Sequence, residues 1–248
     1  MASPFFFVKK KDGKLRPMQD YRKLNEMTIK NRYPLPLIKE LVDHLKKSKI
    51  FMKLDVQWGY NNIQIKEGDK WKVAFQMNQG LFEPTVMFFG LTNSPVTFQS
   101  IMDHIFQDLI NTGKVSVYID DIVIHTKTLK EHRRITKEVL EILRMNKLYI
   151  KPEKCEIEKE RIKYLGVVVS EGRVEMDPVK TEALTSWSTP KKLKELQSFF
   201  GFCNFYRRFI KDYSKIAKPL NQLTGKEEWK WGAEQQITFD TLRRVITE

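Results

Sequence analysis

Apolar residues along this chain recur at two periods, and the switches between them mark its elements. Alternation and short β-branched runs signal strands, whereas repeats of three and four signal amphipathic helices. Phe5-Phe6-Phe7-Val8-Lys9-Lys10-Lys11, then Asp12-Gly13, then Lys14-Leu15-Arg16-Pro17-Met18 predict a hairpin, since Asp-Gly suits a tight turn between extended arms. Asn31-Arg32-Tyr33-Pro34-Leu35-Pro36 breaks regular structure, and a helix follows through Leu37, Ile38, Leu41, Val42 and Leu45. Ile50-Phe51-Met52-Lys53-Leu54-Asp55-Val56 is strand-like, with one acid near its end. Ile63-Gln64-Ile65 and Trp71-Lys72-Val73-Ala74-Phe75 alternate like paired strands across Lys66-Glu67-Gly68-Asp69. Ser94-Pro95 predicts a helix start, with Ser as N-cap and Pro at the first position. Phe98, Ile101, Met102, Ile105, Phe106 and Leu109 form its apolar face, and Asn111-Thr112-Gly113 ends it.

Val117-Tyr118-Ile119-Asp120-Asp121-Ile122-Val123-Ile124 reads as two buried strands joined by a tight turn that holds the acids. A second amphipathic helix runs from about Leu129 to Asn146, with Ile135, Val139, Ile142 and Leu143 inward. Tyr164-Leu165-Gly166-Val167-Val168-Val169, Ser170-Glu171-Gly172-Arg173 and Val174-Glu175-Met176 predict another hairpin. From Asp177-Pro178 onward the pattern is helical, with Asp177 and Thr189 as caps before proline. Lys and Arg there alternate with Phe199, Phe200, Phe202, Phe205, Tyr206 and Phe209.

Asp120 and Asp121 change this picture most. Adjacent carboxylates beside apolar strands lose hydration and repel each other, and a divalent cation removes both costs. An ordinary Asp-Asp surface turn is the alternative. Asp55, at the end of a similar run, tips the balance. Three carboxylates on two neighbouring strands suit hard, oxygen-seeking cations and in-line phosphoryl transfer, as in a polymerase or nuclease. The net charge of +13 suits a polyanionic partner, although a basic protein of another kind would share it. Lys9, Lys10, Lys11, Lys14 and Arg16 at the first hairpin are either a solvated basic loop or a grip on a triphosphate. Cys155 and Cys203 lie far apart, with no zinc spacing or disulfide framework, which suits an intracellular setting. No apolar stretch approaches membrane-spanning length, so no membrane partner is expected.

Val8-Lys9-Lys10-Lys11-Asp12-Gly13, Asp20-Tyr21-Arg22-Lys23-Leu24-Asn25, Asn31-Arg32-Tyr33-Pro34-Leu35-Pro36, Phe89-Gly90-Leu91-Thr92-Asn93-Ser94-Pro95 and Tyr118-Ile119-Asp120-Asp121 occur in this order. Together they resemble the reverse transcriptases of gypsy-type LTR retrotransposons and of retroviruses. A lone Tyr-x-Asp-Asp would be weak; several long motifs in order over nearly the whole chain are specific. Trp58-Gly59-Tyr60-Asn61-Asn62 and Gly80-Leu81-Phe82-Glu83-Pro84 are most similar in wording to fungal elements.

The resemblance implies an α+β, right-hand polymerase fold of fingers, palm and thumb, with an antiparallel palm sheet backed by helices and a helical thumb. Residues 1–29 and 63–93 would be fingers, 30–62 and 94–176 palm, 177–225 thumb, and 226–248 the start of a connection region. It implies RNA- and DNA-templated DNA synthesis from a primer with dNTPs, as the polymerase part of a retrotransposon polyprotein. Asp55, Asp120 and Asp121, with the Val56 carbonyl, would hold two Mg²⁺ ions, for which Mn²⁺ could substitute. Tyr60, five residues after Asp55, matches a steric gate against a ribose 2′-hydroxyl, though a core tyrosine has the same spacing. Lys10 and Arg16 match the triphosphate-binding pair; a strict two-residue Asp12-Gly13 turn would instead set Lys9 opposite Arg16. Trp58, Gly59 and Phe89 would line the nucleotide site, and retroviral relatives carry glutamine at Phe89. Lys154 matches a lysine that protonates the leaving pyrophosphate, although a plain surface lysine is equally compatible. Tyr118, Leu165-Gly166-Val167 and Lys191, Lys192 and Lys194 would contact nucleic acid.

Some positions depart from the family. The chain opens almost at the first fingers hairpin and ends after Trp229-Lys230-Trp231-Gly232, so incomplete fingers and no RNase H domain are expected. Gln57, Gln76 and Gln79 stand where relatives carry arginine, and Met18 where they carry cysteine. The RNase H and integrase portions of a parent polyprotein, and a homo-oligomer, are further expected partners. A cytoplasmic virus-like particle or the nucleus is the expected location. The competing reading is a catalytically weak or inactive nucleic-acid-binding fragment.

Overall fold

In the computed structural model, residues 2–9, 13, 15–225 and 229–247 of the 248 are described. Among them the chain divides into two compact units: Met1–Ile162 with Ser170–Arg173, and Lys163–Val169 with Val174–Glu248. Each holds its own core.

The first unit begins with β1 (Ser3–Lys9) and β2 (Leu15–Gln19), then the helices α1 (Arg22–Met27) and α2 (Ile38–Leu45). β3 (Ile50–Asp55) follows, then the short strands β4 (Phe75–Met77) and β5 (Gly80–Phe82). A mixed sheet runs β2-β1-β4-β5, with β1 parallel to β4. The hairpin register pairs Val8 with Arg16 and Lys9 with Leu15, one step away from a strict two-residue Asp12-Gly13 turn. Lys10, Lys11, Asp12 and Lys14 lie outside the described residues.

Helices α3 (Ser94–Ile105) and α4 (Gln107–Asn111) precede β6 (Val115–Tyr118), β7 (Asp121–Thr126), α5 (Leu129–Met145) and β8 (Glu156–Lys159). The central sheet runs β6-β7-β3-β8 and is antiparallel throughout. Strand alternation decides what this sheet buries. Met52, Leu54, Ile122 and Ile124 pack with Phe98 and Met102 of α3 and Ile135, Val139 and Leu143 of α5. Each such side chain contributes roughly 1.5–3 kcal/mol by leaving water. Lys53, Asp55 and Asp121 fall on the other face, because Leu54 pairs with Ile122 and Asp55 with Asp121. A one-residue slip would drive both acids into the core.

Several local expectations are corrected. Ile63–Ile65 does not pair with residues 71–75; Ile65 N–H donates to Thr85 O and Met87 N–H to Ile63 O. Lys70–Val73 is a turn of 3-10 helix held by Asp69, and only Phe75 onward is strand. Alternation over five residues cannot separate these outcomes. Ser94 is the first helical residue rather than the cap; its buried hydroxyl turns back to Phe88 O at 3.2 Å, and Asn93 holds the cap position. The apolar face predicted as one helix bends at Phe106, between α3 and α4.

In the second part of the chain β9 (Arg161–Tyr164), β10 (Val167–Ser170) and β11 (Arg173–Met176) form a sheet in the order β11-β10-β9. The run from Tyr164 to Val169 is therefore broken at Leu165-Gly166, both at positive φ. Helices α6 (Pro178–Thr185), α7 (Leu193–Tyr206), α8 (Tyr213–Ile216), α9 (Lys218–Gln222) and α10 (Ala233–Thr247) complete it. Asp177 caps α6 by accepting from Val179 N–H at 3.2 Å. Thr189 does not cap, because the backbone stays irregular until Lys192 and α7 starts at Leu193. Leu184, Leu196, Phe199, Cys203, Phe239 and Leu242 are its core. Among the described residues no helix is long and apolar enough to cross a membrane.

Candidate active site

The three acids gather at one end of the central sheet. Asp55 closes β3 directly across from Asp121, which opens β7, and Asp120 occupies the connecting turn with Ile119. The turn is thus Ile119-Asp120 rather than Asp120-Asp121. Ile119 is held at φ 55°, a conformation that is costly for a β-branched residue. Val56 is fully packed, and its N–H donates to Asp120 O at 2.9 Å, so the turn is tied to the end of β3.

The surrounding protein strips hydration from Asp120 and Asp121 and raises the pKa of both. Asp121 and Asp55 add repulsion at Asp120, although its side chain reaches solvent. Two lysines offset part of this charge. Lys154 Nζ lies 3.0 Å from Asp55 Oδ2, and Lys53 Nζ 3.3 Å from Asp121 Oδ1. Among the described residues no three acidic, His or Cys side chains converge tightly enough to enclose a metal ion. The donor set nevertheless fits a hard divalent cation in its chemistry: oxygen ligands only, with excess negative charge.

Beside the acids runs a line of aromatic contacts. Trp58, exposed and at φ 52°, turns the chain into the 3-10 segment Gly59–Asn62. Gly59 is buried there, and a Cβ would sit 3.1 Å from the Phe98 ring and 3.6 Å from Asp120 Cβ. Tyr60 stands edge-on to Phe89 at 4.9 Å and to Phe98 at 5.9 Å. Burial, then the Asp120 charge, push its hydroxyl up to about 12. The Arg16 guanidinium lies over the Phe89 ring, 5.4 Å from its centre. Arg16, Phe89 and Tyr60 therefore form one series of contacts, and the Asp120 charge bears on its Tyr60 end. Tyr118, half-buried at the end of β6, pairs with Asp121.

Three residues of this region are given no role in the sequence reading. Gln99, fully buried on α3, accepts from Ile119 N–H at 2.6 Å and donates to Val117 O at 3.3 Å. Asn25 brackets the loop after Phe89, donating to Gly90 O at 2.7 Å and accepting from Thr92 N–H at 2.8 Å. Lys53 shares a strand face with Asp55, and its contact with Asp121 is visible only once the partner strand is known.

The remaining predicted residues lie in the second unit. Leu165-Gly166 is a two-residue turn, and Tyr206 donates to Gly166 O at 2.8 Å. Val167 is buried as β10 begins. Lys191, Lys192 and Lys194 are exposed around the start of α7; Lys191 N–H donates to Glu195, and Lys192 Nζ lies 3.5 Å from the same carboxylate. Lys10 lies outside the described residues.

Comparison with known proteins adds the following. The family described as Reverse transcriptase (RNA-dependent DNA polymerase) matches residues 8–169. The Transposon Tf2-3 and Tf2-4 polyproteins of Schizosaccharomyces pombe are each 36% identical over 246 residues, covering 99% of this chain and 18% of theirs. The chain thus spans under a fifth of these relatives. A foamy viral protease-reverse transcriptase in complex with double-stranded DNA superposes with a TM-score of 0.91 at 26% identity, covering 100% of this chain and 44% of the other. Another, in complex with an RNA/DNA hybrid, gives 0.84 at 25% identity, covering 99% and 33%.

Proposed function

Because the chain belongs to the reverse transcriptase (RNA-dependent DNA polymerase) family, we propose that it extends a primer with deoxynucleotides on an RNA or DNA template. The observation that carries this reading is the opposition of Asp55 and Asp121 across β3 and β7, with Asp120 in the adjoining turn. In this reading residues 1–29 and 63–93 are fingers, 30–62 and 94–176 palm, 177–225 thumb and 226–248 the start of a connection. The parent is a gypsy-type element whose polyprotein also carries RNase H and integrase. Its setting is intracellular, in a cytoplasmic particle or the nucleus.

Asp55, Asp120, Asp121 and the Val56 carbonyl would hold two Mg²⁺ ions, or Mn²⁺, which when bound neutralise triphosphate charge and activate the primer hydroxyl. Arg16, with Lys10, grips the triphosphate, and Phe89 supports the base and sugar. Tyr60 denies space to a 2′-hydroxyl, so discrimination comes from a clash and not from attraction. Lys154, 3.0 Å from Asp55, would deliver a proton to the leaving pyrophosphate. Tyr118, the Leu165-Gly166-Val167 turn and Lys191, Lys192 and Lys194 hold the template-primer, the lysines through phosphate charge.

Primer extension on poly(rA)/oligo(dT) with dTTP, and separately with UTP, tests this. The wild type extends with dTTP, and Asp120→Asn does not. Tyr60→Ala raises the UTP-to-dTTP ratio of kcat/KM by about 10-fold, equivalent to about 1.4 kcal/mol, while Tyr60→Phe changes little. Equal extension by wild type and Asp120→Asn would favour the inactive-fragment reading.

A further inference from the structure

The catalytic turn rests on a chain of polar groups that reaches far from the carboxylates. Gln99 Oε1 accepts from Ile119 N–H at 2.6 Å, the residue held at φ 55°. Its Nε2 donates to Val117 O at 3.3 Å and to Asp103 Oδ1 at 2.8 Å, one helical turn along α3. The other Asp103 oxygen, Oδ2, accepts from the Tyr33 hydroxyl at 2.6 Å. Tyr33 belongs to the irregular segment before α2, so three separate pieces of chain meet in this series.

A buried primary amide can be turned end for end at little steric cost, so its orientation is set by its partners. Here one orientation alone satisfies all of them. Reversed, the amide would set N–H against the Ile119 N–H, and its oxygen against Val117 O and the Asp103 carboxylate. Asp103, as an acceptor-only group, supplies the strongest bias, and a charge-assisted bond is worth roughly twice a neutral one. Tyr33, donating to the far oxygen, fixes the rotation of that carboxylate. We propose that Asp103 and Tyr33 are positioning residues for DNA synthesis: they lock the Gln99 amide, and through it the Ile119-Asp120 turn that presents the carboxylates. The structural part stands on hydrogen-bond geometry alone; its catalytic consequence rests on the polymerase reading above.

Two readouts on the full chain separate these levels. The first is hydrogen exchange of the Ile119 amide, which needs neither metal nor substrate. Asp103→Leu should speed it by at least about 10-fold, the loss of about 1.4 kcal/mol of local protection. Asp103→Asn keeps an acceptor toward Gln99, since the Tyr33 hydroxyl can rotate to accept, and should stay within about 3-fold of wild type. Gln99→Glu alone sets two carboxylates together and should lose protection; combined with Asp103→Asn it should recover most of it. The second readout is steady-state extension: Asp103→Leu should lower kcat by about 10-fold with KM for dNTP changed less than about 2-fold. Should Asp103→Leu fail to fold, Tyr33→Phe carries the test, with exchange about 3-fold faster. Unchanged Ile119 exchange in a folded Asp103→Leu or Tyr33→Phe, or equal damage from Asn and Leu at position 103, would overturn the relay. A wild type that does not extend primers would refute the polymerase reading and leave the exchange result standing.

Discussion

The hairpin through Ile119-Asp120 and the hairpin through Leu165-Gly166 share a plan. Each follows a tyrosine at a strand end, each puts a bulky apolar residue at positive φ, and each is held by a side chain reaching from a helix. They differ in the second position and its load. Gly166, at φ 82°, completes a pair of positive φ values that suits a tight hairpin, and a Cβ there would press on the Phe205 ring at 3.3 Å. Asp120 instead adds charge to a turn already strained at Ile119, and the neighbouring acids make that charge costlier. One turn is uncharged and sterically filled. The other combines strain with like-charge repulsion, and under the proposed function bound cations would relieve the repulsion.

The largest contrast should appear in catalysis. Asp121→Asn is expected to lower primer extension by about 10²–10³-fold, whereas Tyr206→Phe, which removes the bond to Gly166 O, should lower it by less than about 10-fold. Comparable losses in the two variants would erase the distinction between a chemical and a supporting hairpin.

Next comes pH. The strand leaving the first hairpin carries His125, buried between Ser48 and Ser116 hydroxyls at 3.1 and 3.2 Å. Burial, with lesser repulsion from His44, Lys114 and His132, pushes its pKa down from 6.5 to about 4. A depressed folded-state value means that stability is full above 6.5 and falls as the pH drops toward 4, since the unfolded chain takes up the proton first. The loss should reach on the order of 3 kcal/mol by pH 4. Urea unfolding from pH 7.5 to 4 checks this, and His125→Gln should flatten that slope. The second hairpin, residues 161–170, contains no histidine and should contribute no such slope.

A smaller effect belongs to the second hairpin alone. Gly166→Ala forces a Cβ into positive φ and to 3.3 Å from Phe205. A destabilisation of about 1–3 kcal/mol is expected, read by urea unfolding, with extension changed mainly through stability. No loss of stability would mean that this turn is as adaptable as it is uncharged.

How far the sequence could be read follows from what each feature depends on. The β-branched runs around Asp55 and Asp120-Asp121 announced strands, because burial on one face demands them, and the structure brings the three acids to one end of the sheet. The exact turn was shifted by one residue: Asp121 is paired with Tyr118, and the turn falls to Ile119, a residue no turn preference would select. Ser94 and Thr189 looked like caps, yet capping is decided by local backbone angles that composition does not report. Gln99 passed unremarked because one polar residue on a helix reads as a solvent position, and only the packed α3 shows that it faces Ile119. Trp71–Ala74 alternated like a strand but follows Asp69 into a 3-10 turn.

Calorimetric melting of the full chain, with and without Mg²⁺, bears most directly on whether the Ile119-Asp120 turn is built to receive cations. Because the folded state raises the pKa of Asp120, its ionised form costs stability at neutral pH. Metal-free Asp120→Asn should therefore melt at or above the wild-type temperature. Mg²⁺ should raise the wild-type melting temperature with concentration, as mass action on the folded state requires, and should move the variant far less. A wild type indifferent to Mg²⁺, or a variant stabilised by it to the same extent, would contradict the cation site at this hairpin.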